Sequence, residues 1–398
     1  MRTETKTVKG RLVTPDGIID GGEVCFEGKT ITYAGSARPD NRCESCIDYG
    51  DKYISPGFID IHVHGGGGFD FSDATPEAFL GAARFHASHG TATMLPTTLS
   101  CPDEELFSLF DVFDSIKNTP ADGAFMPGLH IEGPYCALAY KGAQDEKYIK
   151  TPKPEHYRRI FAATDSIMRW TVAPELDGAQ QFIREATDRS IAVSIGHSDA
   201  FYEDAVKAYN AGCRLMTHFY SAMSSLRRIG GFRYPGLIEA GYMIDGMCVE
   251  LIADGCHLPI SMLNYIYTTK GADKTLLCTD SMRCAGQTSG TGFLGSAKNG
   301  YEVIIEDGVA KMPDRSAFAG SIATTDRLVR TMYKKADVPL CDTVKMITAT
   351  PAALVGLTSK GRIASGMDAD LTVFDDDINI YAVYSNGRKV YDKNNEAI

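Results

Sequence analysis

Two histidines two residues apart, His62 and His64, stand in the apolar run Pro56-Gly57-Phe58-Ile59-Asp60-Ile61-His62-Val63-His64-Gly65, with a glycine cluster behind them. Side chains alternate faces along a strand, so both imidazoles point the same way with Asp60 beneath. Paired imidazoles at a strand end are half of a metal site, and Gly65 to Gly68 let the chain turn away without crowding it. A His-x-His pair also occurs on ordinary wet strands, so its meaning depends on whether the rest of a coordination shell stands further along the chain. In Leu129-His130-Ile131-Glu132-Gly133-Pro134 the same alternation brings His130 and Glu132 onto one face just before a forced turn. His197 sits just past the apolar run Val193-Ser194-Ile195, His218 closes Leu215-Met216-Thr217, and Asp280 follows Thr275-Leu276-Leu277-Cys278-Thr279. Each residue alone has an ordinary explanation: a satisfied core histidine, a loop-opening glutamate, a helix-capping aspartate. Their shared position at the ends of apolar runs argues for one site. His62, His64, Glu132, His197 and His218 offer the N and O ligands that hold Zn²⁺ or a similar first-row ion, with a position left for water. Asp280 is then placed to take a proton from that water and return it to a leaving group.

Such residues need a scaffold that presents strand ends together. Between about residue 56 and residue 358 the chain alternates strand-like runs (Thr91 to Pro96, Met126 to Ile131, Ile167 to Val172, Ile191 to Ile195, Arg214 to His218, Met247 to Ile252, Thr275 to Thr279) with amphipathic helical ones (Pro76 to His89, Asp103 to Ile116, Gln180 to Thr187, Tyr202 to Ala211, Met262 to Thr269). Repeated strand-then-helix units predict an α/β fold, an eight-fold (β/α) TIM-like barrel whose chemistry lies at the C-terminal strand ends. Residues 1–55 and 359–398 read differently, as short strands separated by Gly-, Asp- and Asn-rich turns. Neither end has enough strands to close a core, so the two are expected to pair into one small β-sandwich domain beside the barrel.

Composition narrows the class of function. The chain has 398 residues, 44% of them hydrophobic, enough for a large core without staples. Its net charge of −11 and the lack of a basic stripe exclude a nucleic-acid binder. No apolar run reaches the roughly 18 residues of a membrane span, and no apolar leader segment follows the charged start. Eleven scattered cysteines, with a single Cys43-x-x-Cys46, fit reduced thiols and a cytoplasmic setting.

At this point the chain resembles the amidohydrolase superfamily, and within it the branch that deacetylates amino-sugar phosphates. The matching segments run in order: PGFIDIHVHG from Pro56, HIEGPY from His130, KGAQ from Lys141, TVAPE from Thr171, SIGHSDA from Ser194, THFYSAM from Thr217, IADGCH from Ile252, TDSMRCAG from Thr279, FAGS from Phe318 and GRIASGMDADLTVFD from Gly361. The resemblance implies that Glu132, His197 and His218 hold a core metal, that His62 and His64 match members keeping a second ion, and that Asp280 is the catalytic aspartate. It also implies substrate contacts from Ala143, Gln144, Ser221, Ala222, Arg233, Asp254, His257 and the Phe318-Ala319-Gly320 turn. Three departures stand out. Ser221 replaces a common Asn, Gln144 stands where some members use His to stabilise the oxyanion, and the arginine loop from Ser224 to Gly236 is extended, carrying Arg227, Arg228 and Arg233. The implied cofactors are one or two divalent ions per subunit, Zn foremost, with Fe, Mn or Co admitted. The implied partners are a phosphorylated amino sugar and a second copy of the chain in a homodimer, with no nucleic acid and no membrane. The implied reaction is deacetylation of N-acetyl-D-glucosamine 6-phosphate; the alternatives are its galacto epimer and a non-phosphorylated N-acyl or cyclic amide. A non-catalytic assembly protein on this barrel would have lost ligands that are all present here.

Overall fold

Strand-forming runs rich in Ile, Val, Leu and Thr, each followed by a turn and a helix, dictate parallel strands with helices outside. The computed structural model, which describes residues 5–38, 45–119, 122–298 and 300–395, shows this arrangement; Cys43 lies outside the described residues. The barrel strands are Phe58–Val63, Thr91–Pro96, Leu129–Glu132, Ile167–Val172, Ala192–Ile195, Leu215–Met216, Cys248–Leu251 and Thr275–Leu277. The third to the eighth lie side by side in one parallel sheet, and the first pairs in parallel with the second. Parallel bridges of Thr97 with His130 and of Val63 with Ser281 close both seams, giving an eight-stranded barrel. A cluster with one or two residues from several strands, Ile59, Ile61, Leu95, Leu215, Cys248 and Leu276, packs with Ala352 of the helix Ala349–Leu354 and with Val355 just after it.

Local signals set the outer helices. Thr75 caps Pro76–Ser88 by accepting from the Ala78 N–H, with Pro76 at the first helical position, and Phe79, Ala82, Ala83 and Ala87 form the buried stripe.

Both chain ends meet in one seven-stranded sheet, which is the small β domain. Ser45–Pro56 is its keystone: it runs parallel to Thr5–Thr14 on one side and antiparallel to Leu371–Phe374 on the other. Val8, Leu12, Val24, Phe26, Ile54, Leu371 and Val373 form its core. The same strand leads through Gly57 into the first barrel strand, and the Gly57 N–H donates to the Asp370 carbonyl at 2.8 Å. The small domain therefore anchors the strand that carries the histidine pair.

Two features are not legible as elements in the sequence. A three-stranded antiparallel sheet (Gly290–Leu294, Tyr301–Glu306, Val309–Lys311) follows the eighth barrel strand, and the arginine loop folds into a hairpin of Arg227–Ile229 with Phe232–Tyr234. Strands of three to six residues carry too little alternation to register in the sequence, and Gly290–Leu294 has glycines inside it as well.

Candidate active site

Strand ends bring the chemistry together, and the backbone there is strained. His197, His218 and Asp280 sit in the left-handed region at φ 49°, 30° and 48°. Such positions cost a non-glycine residue about 1–3 kcal/mol and persist only where surroundings enforce them. Here the surroundings do so: the His218 N–H donates to Glu250 Oε1 at 3.0 Å, the Asp280 N–H to the His62 carbonyl at 2.9 Å, and the His197 carbonyl accepts from the Ala137 N–H at 2.8 Å.

The imidazoles are oriented from behind. His197 Nδ1 faces the Tyr140 carbonyl at 3.0 Å and His218 Nδ1 the Ser221 carbonyl at 3.1 Å, while His62 Nδ1 meets Glu250 at 2.9 Å. A carbonyl or carboxylate partner requires the Nδ1 proton, so each ring presents an Nε2 lone pair forward. All three Nε2 atoms converge on Glu132 Oε1, at 3.1, 3.2 and 3.3 Å for His197, His218 and His62. His197 Nε2 and His218 Nε2 are only 3.0 Å apart. Lone pairs facing one another and a carboxylate call for a cation among them. His62 Nε2 and His64 Nδ1 are also buried without a hydrogen-bond partner among the described residues. Glu132, His197 and His218 form one potential ligand set, and His62, His64 and Asp280 a second, the ligand atoms of each lying within 4.8 Å of one another. His64 Nε2 is 3.1 Å from Asp280 Oδ1 and 3.4 Å from Glu132 Oε2, so Glu132 stands between the two sets.

The electrostatics agree with a site shaped for positive charge. Burial alone would lower the His62 and His64 pKa values, but the Glu132 and Asp280 carboxylates outweigh it and raise them to about 10 and about 9, so that without an ion a proton takes up the nitrogens an ion would occupy. Burial pushes the other way at Glu132 and Asp280, yet the facing imidazoles hold Glu132 well below the usual carboxyl range and lower Asp280 too. His130 behaves differently. Burial and the neighbouring Arg169 push its pKa well down, and its ring bonds Thr171 Oγ1 at 2.8 Å and Thr97 Oγ1 at 3.2 Å, which makes it a neutral structural histidine.

A cavity of about 380 Å³ opens over this cluster, with His64, Glu132, His197, His218 and Asp280 in its lining. The fold and ligand constellation coincide with a known family: the profile of the amidohydrolase family matches residues 53–390. The chain belongs to the amidohydrolase family. Its relatives include the N-acetylglucosamine-6-phosphate deacetylases of Lysinibacillus sphaericus, 32% identical over 86% of this chain and 87% of that one, and of Homo sapiens, 30% identical over 96% and 93%. Among solved structures, N-acetyl-D-glucosamine-6-phosphate deacetylase from Mycobacterium smegmatis in complex with N-acetyl-D-glucosamine-6-phosphate superposes with a TM-score of 0.89 at 26% identity, covering 97% of this chain and 99% of that one. The Thermotoga maritima N-acetylglucosamine-6-phosphate deacetylase gives 0.85 at 30% identity, covering 99% and 100%.

Around the amidohydrolase cavity, the remaining sequence candidates divide. Ala143, Gln144, Ser221, Ala222, His257, Phe318 and Gly320 line it. Ala319 is buried behind the turn, and Asp254 acts on His257, accepting from its ring at 2.9 Å and from its backbone N–H at 2.9 Å. Arg233 is exposed on the hairpin and does not line this chain's cavity, while Arg227 of the same hairpin is held by Asp199 at 2.6 Å. Gln144 is fully engaged: its Nε2 donates to Glu132 Oε2 at 2.8 Å and its Oε1 accepts from the Ser100 N–H at 2.7 Å. Sequence reasoning missed Glu250 and Arg169. Both are fully buried, Arg169 donates to Glu250, and Glu250 in turn anchors His62. The available signal was a charge inside an apolar strand, in Cys248-Val249-Glu250-Leu251 and Ile167-Met168-Arg169-Trp170.

Proposed function

We propose that this amidohydrolase removes the acetyl group from N-acetyl-D-glucosamine 6-phosphate, giving D-glucosamine 6-phosphate and acetate. The observation that carries the reading is the convergence of Glu132, His197 and His218 on one point beside Asp280, at the floor of a cavity rimmed by Ser221, Ala222 and His257. The relatives that cover nearly the whole chain bear that activity in their names.

The unpartnered His62 Nε2 and the facing His197 and His218 nitrogens fit a divalent ion. Glu132, His197 and His218 would hold it, His62 and His64 a second one, with Zn²⁺ first among candidates. Such an ion would supply Lewis acidity toward the amide carbonyl and lower the pKa of water toward neutrality. The protein supplies the rest. Asp280 accepts the proton of the attacking water at its carboxylate and returns it to the sugar nitrogen as the C–N bond breaks. His257, aligned by Asp254, orients the sugar, and the Ser221 side chain with the Ala222 backbone N–H suits the phosphate end, the Ser221 N–H being held by the His218 carbonyl at 2.8 Å. Gln144 holds Glu132 in place, since both ends of its amide are already committed.

The extended hairpin supports a homodimer in which Arg233 reaches a neighbour's phosphate site: Ile229, Phe232 and Tyr234 are exposed beside it, Phe232 at 73%. Exposed aromatic and Arg side chains together are the usual composition of an interface. Cys101, Cys136, Cys213, Cys248, Cys256, Cys278, Cys284 and Cys341 keep free thiols, which supports a reducing, cytoplasmic setting. No helix of the described residues is long and apolar enough to cross a membrane.

The test is acetate release from N-acetylglucosamine 6-phosphate, its galacto epimer and both dephosphorylated sugars, with metal analysis of the same preparation. Preferred turnover of the gluco 6-phosphate is expected. Equal turnover of the phosphate-free sugar would overturn the phosphate assignment, and preferred turnover of the epimer the gluco assignment.

A further inference from the structure

A second cavity, of about 280 Å³, adjoins the catalytic one, and the two share Leu99, Ala143 and Leu294 in their linings. The shared boundary is aliphatic, whereas the catalytic floor is made of His, Glu and Asp. Barrel topology tells which end of a substrate faces it. In an eight-stranded barrel, strands four apart lie across the axis from each other. Leu99 follows the second strand and Ser221 and Ala222 follow the sixth; Ala143 follows the third and His257 the seventh. Leu99 is thus across the barrel from Ser221 and Ala222, the groups assigned to the phosphate end, while Leu294 joins it from the segment after the eighth strand. On an N-acyl amino sugar phosphate bound across the metal ligands, the part lying opposite the sugar is the acyl group, whose carbon chain has no hydrogen bonds to satisfy.

We propose that the second cavity is an acyl-chain subsite, so that this amidohydrolase hydrolyses hexosamine 6-phosphates carrying N-acyl groups longer than acetyl. This rests on the deacetylase reading and widens its substrate class. Beyond Leu99 and Leu294 the subsite is bounded by Cys101, Tyr148 and Tyr301, with Glu105, Asp145 and Lys147 also in its lining, and Gly295 and Gly300 leave it open. A side chain at Gly300 would put its Cβ 2.6 Å from the Leu294 carbonyl, and one at Gly295, where φ is +83°, would come within 3.4 Å of Leu99. A propanoyl or butanoyl chain would extend over the Leu99 boundary toward the second cavity. The reaction balances as for acetyl: water oxygen bonds the acyl carbon, the C–N bond breaks, the proton passes to the sugar nitrogen, and the longer carboxylate leaves.

The experiment compares kcat/KM for the N-acetyl, N-propanoyl and N-butanoyl 6-phosphates in the holoenzyme, in Ser296→Trp and in Cys101→Phe. Ser296 and Cys101 line only the second cavity, so each variant fills it, and the acetyl rate of the same variant reports correct folding. We expect the wild-type rates to stay within about tenfold of one another, because a closed pocket discriminates by about 10–200-fold per methylene. Either filling variant should lower the butanoyl rate by about tenfold or more relative to acetyl. A wild-type loss of about 100-fold or more on butanoyl overturns the subsite, as does an unchanged butanoyl-to-acetyl ratio in both variants. Hydrolysis of the longer chains without that of acetyl would instead overturn the deacetylase reading and leave the subsite standing; hydrolysis of none overturns both.

Discussion

At His62 the two ring nitrogens are used differently: Nδ1 is bound to Glu250 and Nε2 faces Glu132 and Asp280. Glu250 also takes the His218 backbone N–H and the buried Arg169 guanidinium, so one carboxylate orients two candidate ligands. Glu250→Gln leaves Arg169 buried beside a neutral amide. Loss of one partner from a buried ion pair costs about 3–5 kcal/mol, which urea unfolding would register, and weaker metal binding should accompany it. An unchanged midpoint would show that the pair is not structural. Asp280→Asn keeps the shape of the site and removes the proton acceptor. Its kcat should fall by about 10²–10⁴-fold with the core ion of Glu132, His197 and His218 retained, and near-normal turnover would exclude the proton-transfer role.

At the scale of elements, the site depends on how strands end. The first strand stops at Val63, and Gly65–Gly66 turns back to pair with Phe69–Asp70. A Cβ on Gly65 would lie 2.2 Å from the Phe69 carbonyl oxygen and 2.9 Å from Asp70 Cα, both backbone atoms that cannot swing aside. Gly65→Ala should therefore displace His64, destabilise the fold by about 1–3 kcal/mol and depress activity more than it depresses binding of the core ion. Thermal unfolding and metal titration of one preparation separate these effects. The arginine hairpin is the opposite kind of element, exposed and apart from this chain's cavity. If it serves a neighbour, Arg233→Ala should raise KM for the phosphorylated sugar about tenfold or more with little change in kcat or in KM for the dephosphorylated one. Light scattering on the wild type should show a dimer.

For the whole molecule, folding and metal binding are linked through strands that the small domain anchors. Removing metal with a chelator should abolish turnover and lower the melting temperature, and adding Zn²⁺ should restore both. An ion present at about a hundred times its Kd contributes about 2.7 kcal/mol to the folded state. A chelated enzyme with unchanged melting and activity would dismiss the metal.

Local pattern was enough to read the barrel strands, the outer helices and the strand-end residues, because period-two and period-3.6 hydrophobicity and Gly-Pro punctuation are written in neighbouring residues. The sequence by itself determined that His62, His64, Glu132, His197, His218 and Asp280 fall at strand ends of an α/β chain, and matched them to a family. Only the tertiary structure decided that His62, His197 and His218 converge on one oxygen of Glu132 while His130, on the same strand as Glu132, turns to Thr171 and Thr97. It alone showed Glu250 and Arg169 supporting His62, and the second cavity behind Leu99. The reason is distance along the chain: Glu250 lies 188 residues from His62, and closure of the barrel is what makes them neighbours.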